Sequence, residues 1–138
     1  MDNATLLEKL RCNIPPQQEL QDAIVIDEVP KPGYVRFTVD VPTSFSNYHG
    51  GIHGGMGYFI GEIGCGFATY SLGFNNVCQT ATINFIKAVP CCTVVVETEP
   101  IHAGRSTAVI RVTSRQAETG KLLFQSTHTM FLLGPIQD

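Results

Sequence analysis

The sequence predicts an α+β domain in which a largely antiparallel β-sheet surrounds one long helix. Three observations carry that prediction. Residues 54–72 form the one stretch long enough for a central helix: it lacks proline, and its apolar residues do not alternate. Six other segments, at strand lengths, are rich in β-branched and aromatic residues. Most of these segments are joined by short separators with turn chemistry, which suits antiparallel pairing and leaves no room for helical crossovers.

The elements follow in order. Residues 4–10 make a short amphipathic helix with Asn3 as its cap, ended by Pro15 and Pro16, which remove donors and fix φ. Residues 23–29 form a strand, residues 30–33 (PKPG) a turn, and residues 34–41 a second strand. In that second strand Val35, Phe37, Val39 and Val41 face one way, and Arg36, Thr38 and Asp40 the other, as a sheet with one buried face requires. The long helix contains Gly57, Gly61, Gly64 and Gly66, each costing about 1 kcal/mol against alanine. Close approach of a wrapped sheet or a partner helix would offset that cost. Strands are expected at residues 80–89, 92–101, 105–116 and 122–133, the last two as a long hairpin. The 138 residues read as a single domain, with residues 1–22 as an N-terminal helix and loop ahead of a core over residues 23–138.

Composition narrows the function. Apolar residues make up 43% and charged residues 15%, which describes a globular chain and leans toward a buried subunit interface. The net charge of −3 lacks the basic surplus of a nucleic-acid binder. No apolar run approaches the roughly 18 residues of a membrane span, and the N-terminus does not read as a signal peptide. The five cysteines are odd in number and two are adjacent, so reduced thiols in a cytoplasmic protein are expected.

Several candidate sites fail on their own chemistry. Cys91, Cys92 and His102 match no zinc spacing, and Cys65, inside the helix, has no evident base. The glycine pairs do not follow a strand into a parallel βαβ unit, and no Gly-Lys-Ser/Thr accompanies them. His128 reads as a satisfied or half-exposed strand histidine, and His49 as a turn residue. His53-Gly54-Gly55 is different, because it stands where the long helix begins. Free N–H groups at a helix N-terminus, approachable past glycine, suit a carbonyl oxygen becoming an oxyanion. Glu62 is the only acid between Asp40 and Glu97, and it falls in an apolar, glycine-rich helix. Gly54 and Glu62 are eight residues apart, which is about 12 Å along a helix, too far for one carbonyl to meet both within a chain. A two-fold partner would bring Glu62 of one chain to Gly54 of the other.

Asn47, His53, Gly54, Gly55 and Glu62, with PGYVRFTVDVP before them and TATINFIKAVP and HAGRSTAVIRV after, resemble the hotdog-fold acyl-CoA thioesterases. The likeness is to the phenylacetic-acid-degradation (PaaI-like) type, with the 4-hydroxybenzoyl-CoA and human mitochondria-associated thioesterases among its relatives, and it covers residues 23–133. It implies a hotdog fold, a curved antiparallel sheet wrapped round the helix, and a homodimer that often doubles to a tetramer. It also implies roles: Gly54 N–H polarises the thioester carbonyl, Asn47 helps hold carbonyl or water, His53 orients the loop, and Glu62 from the other subunit is nucleophile or general base. Thr80 stands where relatives carry a water-positioning hydroxyl, and His102, Gly104 and Arg105 stand where the family meets CoA phosphates. Gly55, Tyr58 and Phe59 would border the substrate. Many relatives have aspartate at the acid position, and glutamate there resembles the 4-hydroxybenzoyl-CoA type, which tends to have glutamine where Asn47 stands.

On this reading the partners are an acyl-CoA substrate and the chain itself, with no cofactor beyond the CoA of the substrate and no metal. Two rivals stay open: an enoyl-thioester hydratase or dehydratase with His53 as base, and a non-catalytic acyl-CoA-binding protein.

Overall fold

The computed structural model describes residues 1–15 and 17–137, so Pro16, expected to help end the first helix, lies outside the described residues. Helix α1 spans Asn3–Cys12 and α2 spans Gln18–Gln21. The α1 cap is Asp2, whose carboxylate accepts from Thr5 N–H at 2.8 Å, and not Asn3. That bond holds the Asp2 carboxyl below its ordinary pKa. Strands β1 (Ile24–Lys31) and β2 (Tyr34–Asp40) follow, then a single 3₁₀ turn at Thr43–Phe45 and helix α3 (Gly54–Ser71). Strands β3 (Phe74–Phe85), β4 (Thr93–Ala103), β5 (Thr107–Gln116) and β6 (Leu122–Pro135) complete the chain.

The strands form one six-stranded antiparallel sheet in the order β1-β2-β4-β5-β6-β3. Two boundaries move from expectation. β1 runs on through Pro30 and Lys31, which an edge strand tolerates because it owes no hydrogen bonds on its outer side. β3 begins at Phe74 rather than at residue 80, because β6 is long enough to pair with it from Phe74↔Pro135 to Phe85↔Phe124. The chain then leaves the sheet: Ile86 and Lys87 N–H both donate to Leu123 O, at 2.8 and 3.2 Å, and residues 86–89 are not strand. β5 and β6 form the expected long hairpin.

The core lies between α3 and the concave face of the sheet. Val35, Phe37, Val39 and Val41 are all buried, as the alternation of β2 predicts. They meet Val94, Val96, Ile110, Val112 and Met130 from the neighbouring strands and Ile60 and Phe67 from the helix. Phe37 and Phe67 pack edge-on with ring centres 5.3 Å apart.

The sheet closes on a stripe of glycines. A Cβ on Gly57 would stand 2.8 Å from the Phe124 ring, and one on Gly64 would stand 3.2 to 3.4 Å from Val112, Phe37 and Thr98. Between them, a Cβ on Gly61 would collide with Ser126 Oγ and reach 3.0 Å from His128 Nε2. Positions 57, 61 and 64 share one helix face, and that face is pressed against β5 and β6. Gly66 lies off the stripe, where an added Cβ would meet only Asn76 at 3.9 Å.

The two kinds of glycine therefore respond oppositely to alanine. Gly61→Ala destabilises the fold by about 1–3 kcal/mol through overpacking. Gly66→Ala raises stability by up to about 1 kcal/mol through helix propensity. Urea midpoints of the two variants beside wild type check both signs.

Candidate active site

The loop before α3 is held by its own backbone. Ser46 and Ile52 form an isolated bridge, Ile52 N–H donates to Val89 O at 2.9 Å, and His53 N–H to Phe45 O at 2.8 Å. Inside that frame Asn47 acts as a clasp: its side-chain oxygen accepts from both His49 N–H and Gly51 N–H at 3.0 Å. Gly50 supplies the left-handed turn, with φ +85°. The Asn47 carbonyl oxygen is thus occupied, while its NH₂ has no hydrogen-bond partner among the described residues.

His53 is the N-cap of α3, and its Nδ1 accepts from Gly55 N–H at 3.0 Å. The bond that orients this loop also uses up the Gly55 donor. Gly54 N–H makes no hydrogen bond among the described residues. Gly54 and Asn47 line one cleft of about 280 Å³ with Phe85, Lys87 and Phe124. Two unused donors, one at the positive end of an 18-residue helix, therefore border a common space. His53 and Gly55 border a second, apolar cleft with Phe45, Met56 and Phe59.

Glu62 is exposed and lines a third cleft, of about 450 Å³, with Asn13, Ile63, Tyr70 and Asn76. Within one chain its cleft is not that of Asn47 and Gly54, in keeping with the eight-residue helical separation. Phe59 is the wall common to the Glu62 cleft and the apolar cleft.

Behind Glu62 lies a group that the sequence did not single out. His128 is fully buried, with Nε2 2.8 Å from Ser126 Oγ and Nδ1 3.7 Å from Cys78 Sγ. Burial lowers its pKa, so the ring is neutral at neutral pH. Tyr58, 37% exposed, stands with its ring 5.9 Å from the imidazole. Burial and then the Glu62 charge push the Cys78 thiol up. Burial, then Cys78 and Glu62, do the same to the Tyr58 hydroxyl and the Cys65 thiol. Reading the strand from residue 80 left Cys78 outside it, so this contact could not be anticipated from spacing.

Thr80 is placed otherwise. A bulge at Gln79 sets Cys78 opposite Met130 and Thr80 opposite Thr129. Met130 and His128 are buried against the helix, so Thr80, paired with the residue between them, lies exposed on the face turned away from α3. His102, Gly104 and Arg105 gather at the β4–β5 turn, where the His102 ring folds over Gly104. Pro100 of the same strand packs at Gly33 beside Leu72, at the C-terminal end of α3. Within one chain that turn is therefore near the helix end opposite Gly54, and the structure does not bring the two together.

The thioesterase superfamily model matches residues 49–123, more than half of the chain. The chain belongs to this superfamily. It is a thioester hydrolase of hotdog fold, as the resemblance of its motif to PaaI-like thioesterases implied. A hypothetical thioesterase from Streptococcus pneumoniae TIGR4, solved with coenzyme A, is 30% identical over 84% of this chain and 90% of its own, with a TM-score of 0.79. The smu.793 protein of Streptococcus mutans UA159, bound to acetyl CoA, is 25% identical over 89% of this chain and 98% of its own, with a TM-score of 0.80. The PaaI protein of the E. coli phenylacetic acid degradation operon shares the fold across 97% of this chain and 98% of its own, at 18% identity and a TM-score of 0.82. No curated protein matches this sequence. Among the described residues no helix is long and apolar enough to cross a membrane.

The buried imidazole makes this thioesterase sensitive to mild acid. His128 has a lower pKa folded than unfolded, so the unfolded chain binds the extra proton first. Its contribution is fully present above the unfolded value of about 6.5 and is lost as pH falls through the folded value. The urea midpoint of wild type is expected to be lower at pH 5.5 than at pH 7.5, and His128→Gln flattens that slope whatever it does to the midpoint itself.

Proposed function

We propose that this thioesterase hydrolyses an acyl-CoA to free acid and CoA at sites made between two copies of the chain. The observation that carries the proposal is the pair of unused donors, Gly54 N–H and the Asn47 NH₂, on two residues that line one cleft at the start of α3. A thioester carbonyl oxygen placed there gains charge as it is attacked, and preorganised donors stabilise that charge more than they stabilise the ground state. Glu62 of the partner subunit supplies the carboxylate. As general base it takes a proton from water while the water oxygen bonds to the carbonyl carbon. The tetrahedral oxyanion then collapses, the C–S bond breaks, and the departing sulfur takes the proton from Glu62. Direct attack by Glu62, giving a mixed anhydride that water then opens, uses the same groups.

The other assignments follow from this arrangement. His53 holds the Gly54 loop in place, and because its Nδ1 is committed to Gly55 N–H, hydrolysis is favoured over a hydratase that would use His53 as base. Phe59 and Gly55 border the acyl side, and Tyr58 stands beside Glu62. The CoA phosphates meet His102, Gly104 and Arg105 of a neighbouring subunit, since within one chain these lie near the far end of α3. The coenzyme A and acetyl CoA bound to the streptococcal relatives support CoA as the carrier. Thr80 orients water only if the neighbouring subunit turns the outer face of β3 into the site. The assembly is a dimer or a dimer of dimers, the location cytoplasmic, and no cofactor beyond the CoA of the substrate takes part.

Free-thiol release from aryl- and aliphatic acyl-CoAs tests the proposal. Glu62→Gln is expected to lower kcat by about 10²–10⁴-fold. Asn47→Ala is expected to cost up to about 10²–10³-fold. Wild-type rates in Glu62→Gln, or hydration of an enoyl-CoA with no thiol released, would overturn it.

A further inference from the structure

Cys65 of α3, Cys78 of β3 and His128 of β6 converge on a point that the hydrolysis does not use. One ligand atom from each, two sulfurs and a ring nitrogen, lie within 4.8 Å of one another. Cys65 and His128 have no exposed surface, and Cys78 is half-buried on an edge strand. From this convergence we infer a binding site for one thiophilic divalent cation, of which Zn²⁺ fits best, held by Cys65 Sγ, Cys78 Sγ and His128 Nδ1 with water in the fourth position.

The geometry is close to what the ion demands. A tetrahedral zinc with Zn–S near 2.3 Å and Zn–N near 2.0 Å sets its sulfurs about 3.8 Å apart and each sulfur about 3.5 Å from the nitrogen. Cys78 Sγ and His128 Nδ1 already stand 3.7 Å apart. The widest separation in the group is 4.8 Å at most, so closure needs a shift of about 1.3 Å or less. The imidazole is oriented as a metal-ligating histidine usually is: Nε2 stands 2.8 Å from Ser126 Oγ, and in the tautomer that donates to this oxygen the Nδ1 lone pair is left for the ion. The three ligands come from three elements, so the fold and not a local loop assembles them.

Charge balances on binding. Each thiol releases its proton to solvent, and two thiolates with a neutral imidazole cancel the two charges of the ion. A buried site without net charge avoids the cost that a bare cation would meet there. Soft sulfur ligands select Zn²⁺ or Co²⁺ over Mg²⁺ or Ca²⁺. Access is by way of the half-exposed Cys78. Cys65 Sγ gives up its bond to Glu62 O, 3.0 Å away, when it turns to the ion.

Titration of the reduced, metal-free protein with Co²⁺ tests the site. One equivalent per chain is expected to give thiolate-to-cobalt charge transfer and the visible bands of a tetrahedral ion, and Zn²⁺ then displaces it. Cys78→Ser and Cys65→Ala are each expected to weaken Co²⁺ binding by more than about 100-fold, and Ser126→Ala by about 10–100-fold through loss of imidazole orientation. The Cys91→Ser, Cys92→Ser double variant binds as wild type. Absence of thiolate charge transfer at one equivalent in wild type overturns the inference. So does a band that survives Cys65→Ala and Cys78→Ser and disappears with Cys91 and Cys92.

Discussion

The structure depends on one contact: the glycine stripe of α3 against the inner face of β5 and β6. Gly57, Gly61 and Gly64 let Phe124, Ser126, His128 and Val112 come nearer the helix axis than any Cβ would allow. An isolated helix with that composition would be weak, since each glycine costs about 1 kcal/mol. Burial of Ile60, Phe67 and the β-strand valines offsets the cost, because the closer the sheet curls, the more apolar surface leaves water. The helix exists because the sheet encloses it, and the sheet curls because the helix is thin there.

Enclosure also places the chemistry. A helix clamped along its length cannot slide, so its first residue holds a fixed position relative to the strands. That fixes Gly54 beside Phe85 at the end of β3, and Asn47, in a loop tied to Val89 and Phe45 through its backbone, lines the same cleft. Glu62 is carried on the helix side away from the stripe and stays exposed. Burial first, and the nearby Glu62 charge after it, makes Tyr58, Cys65 and Cys78 keep their protons more firmly. The Glu62 carboxylate and the thiol–imidazole group thus flank one segment of α3.

Much of this was legible in the sequence, for physical reasons that differ from residue to residue. The period-two pattern of β2 gave its buried face without error, because a strand buried on one side must alternate. The helix start at Gly54 and the need for close packing along α3 were readable from composition alone. Which glycines pack was not: Gly66 looks like the others in sequence and differs only in what faces it. The start of β3 was missed because pairing with a long β6, a tertiary fact, overrides the turn-like asparagines at 75 and 76. That error hid Cys78, and a one-residue bulge then decided that Cys78 and not Thr80 faces the helix. His128, read as a satisfied or half-exposed strand histidine, is satisfied and fully buried, but its partners, Ser126 and Cys78, come from register and could not be read from spacing.

The central claim is that a working site needs two chains, Gly54 and Asn47 from one and Glu62 from the other. The most direct measurement pairs two inactive variants. Differently tagged Glu62→Gln and Asn47→Ala chains are co-expressed and the mixed dimer is isolated through both tags. A site shared across the two-fold leaves one doubly altered and one intact site per mixed dimer, so about half of the wild-type thiol-release rate is expected. Mixed dimers no more active than either parent would show that each chain builds its site alone, and would contradict the account.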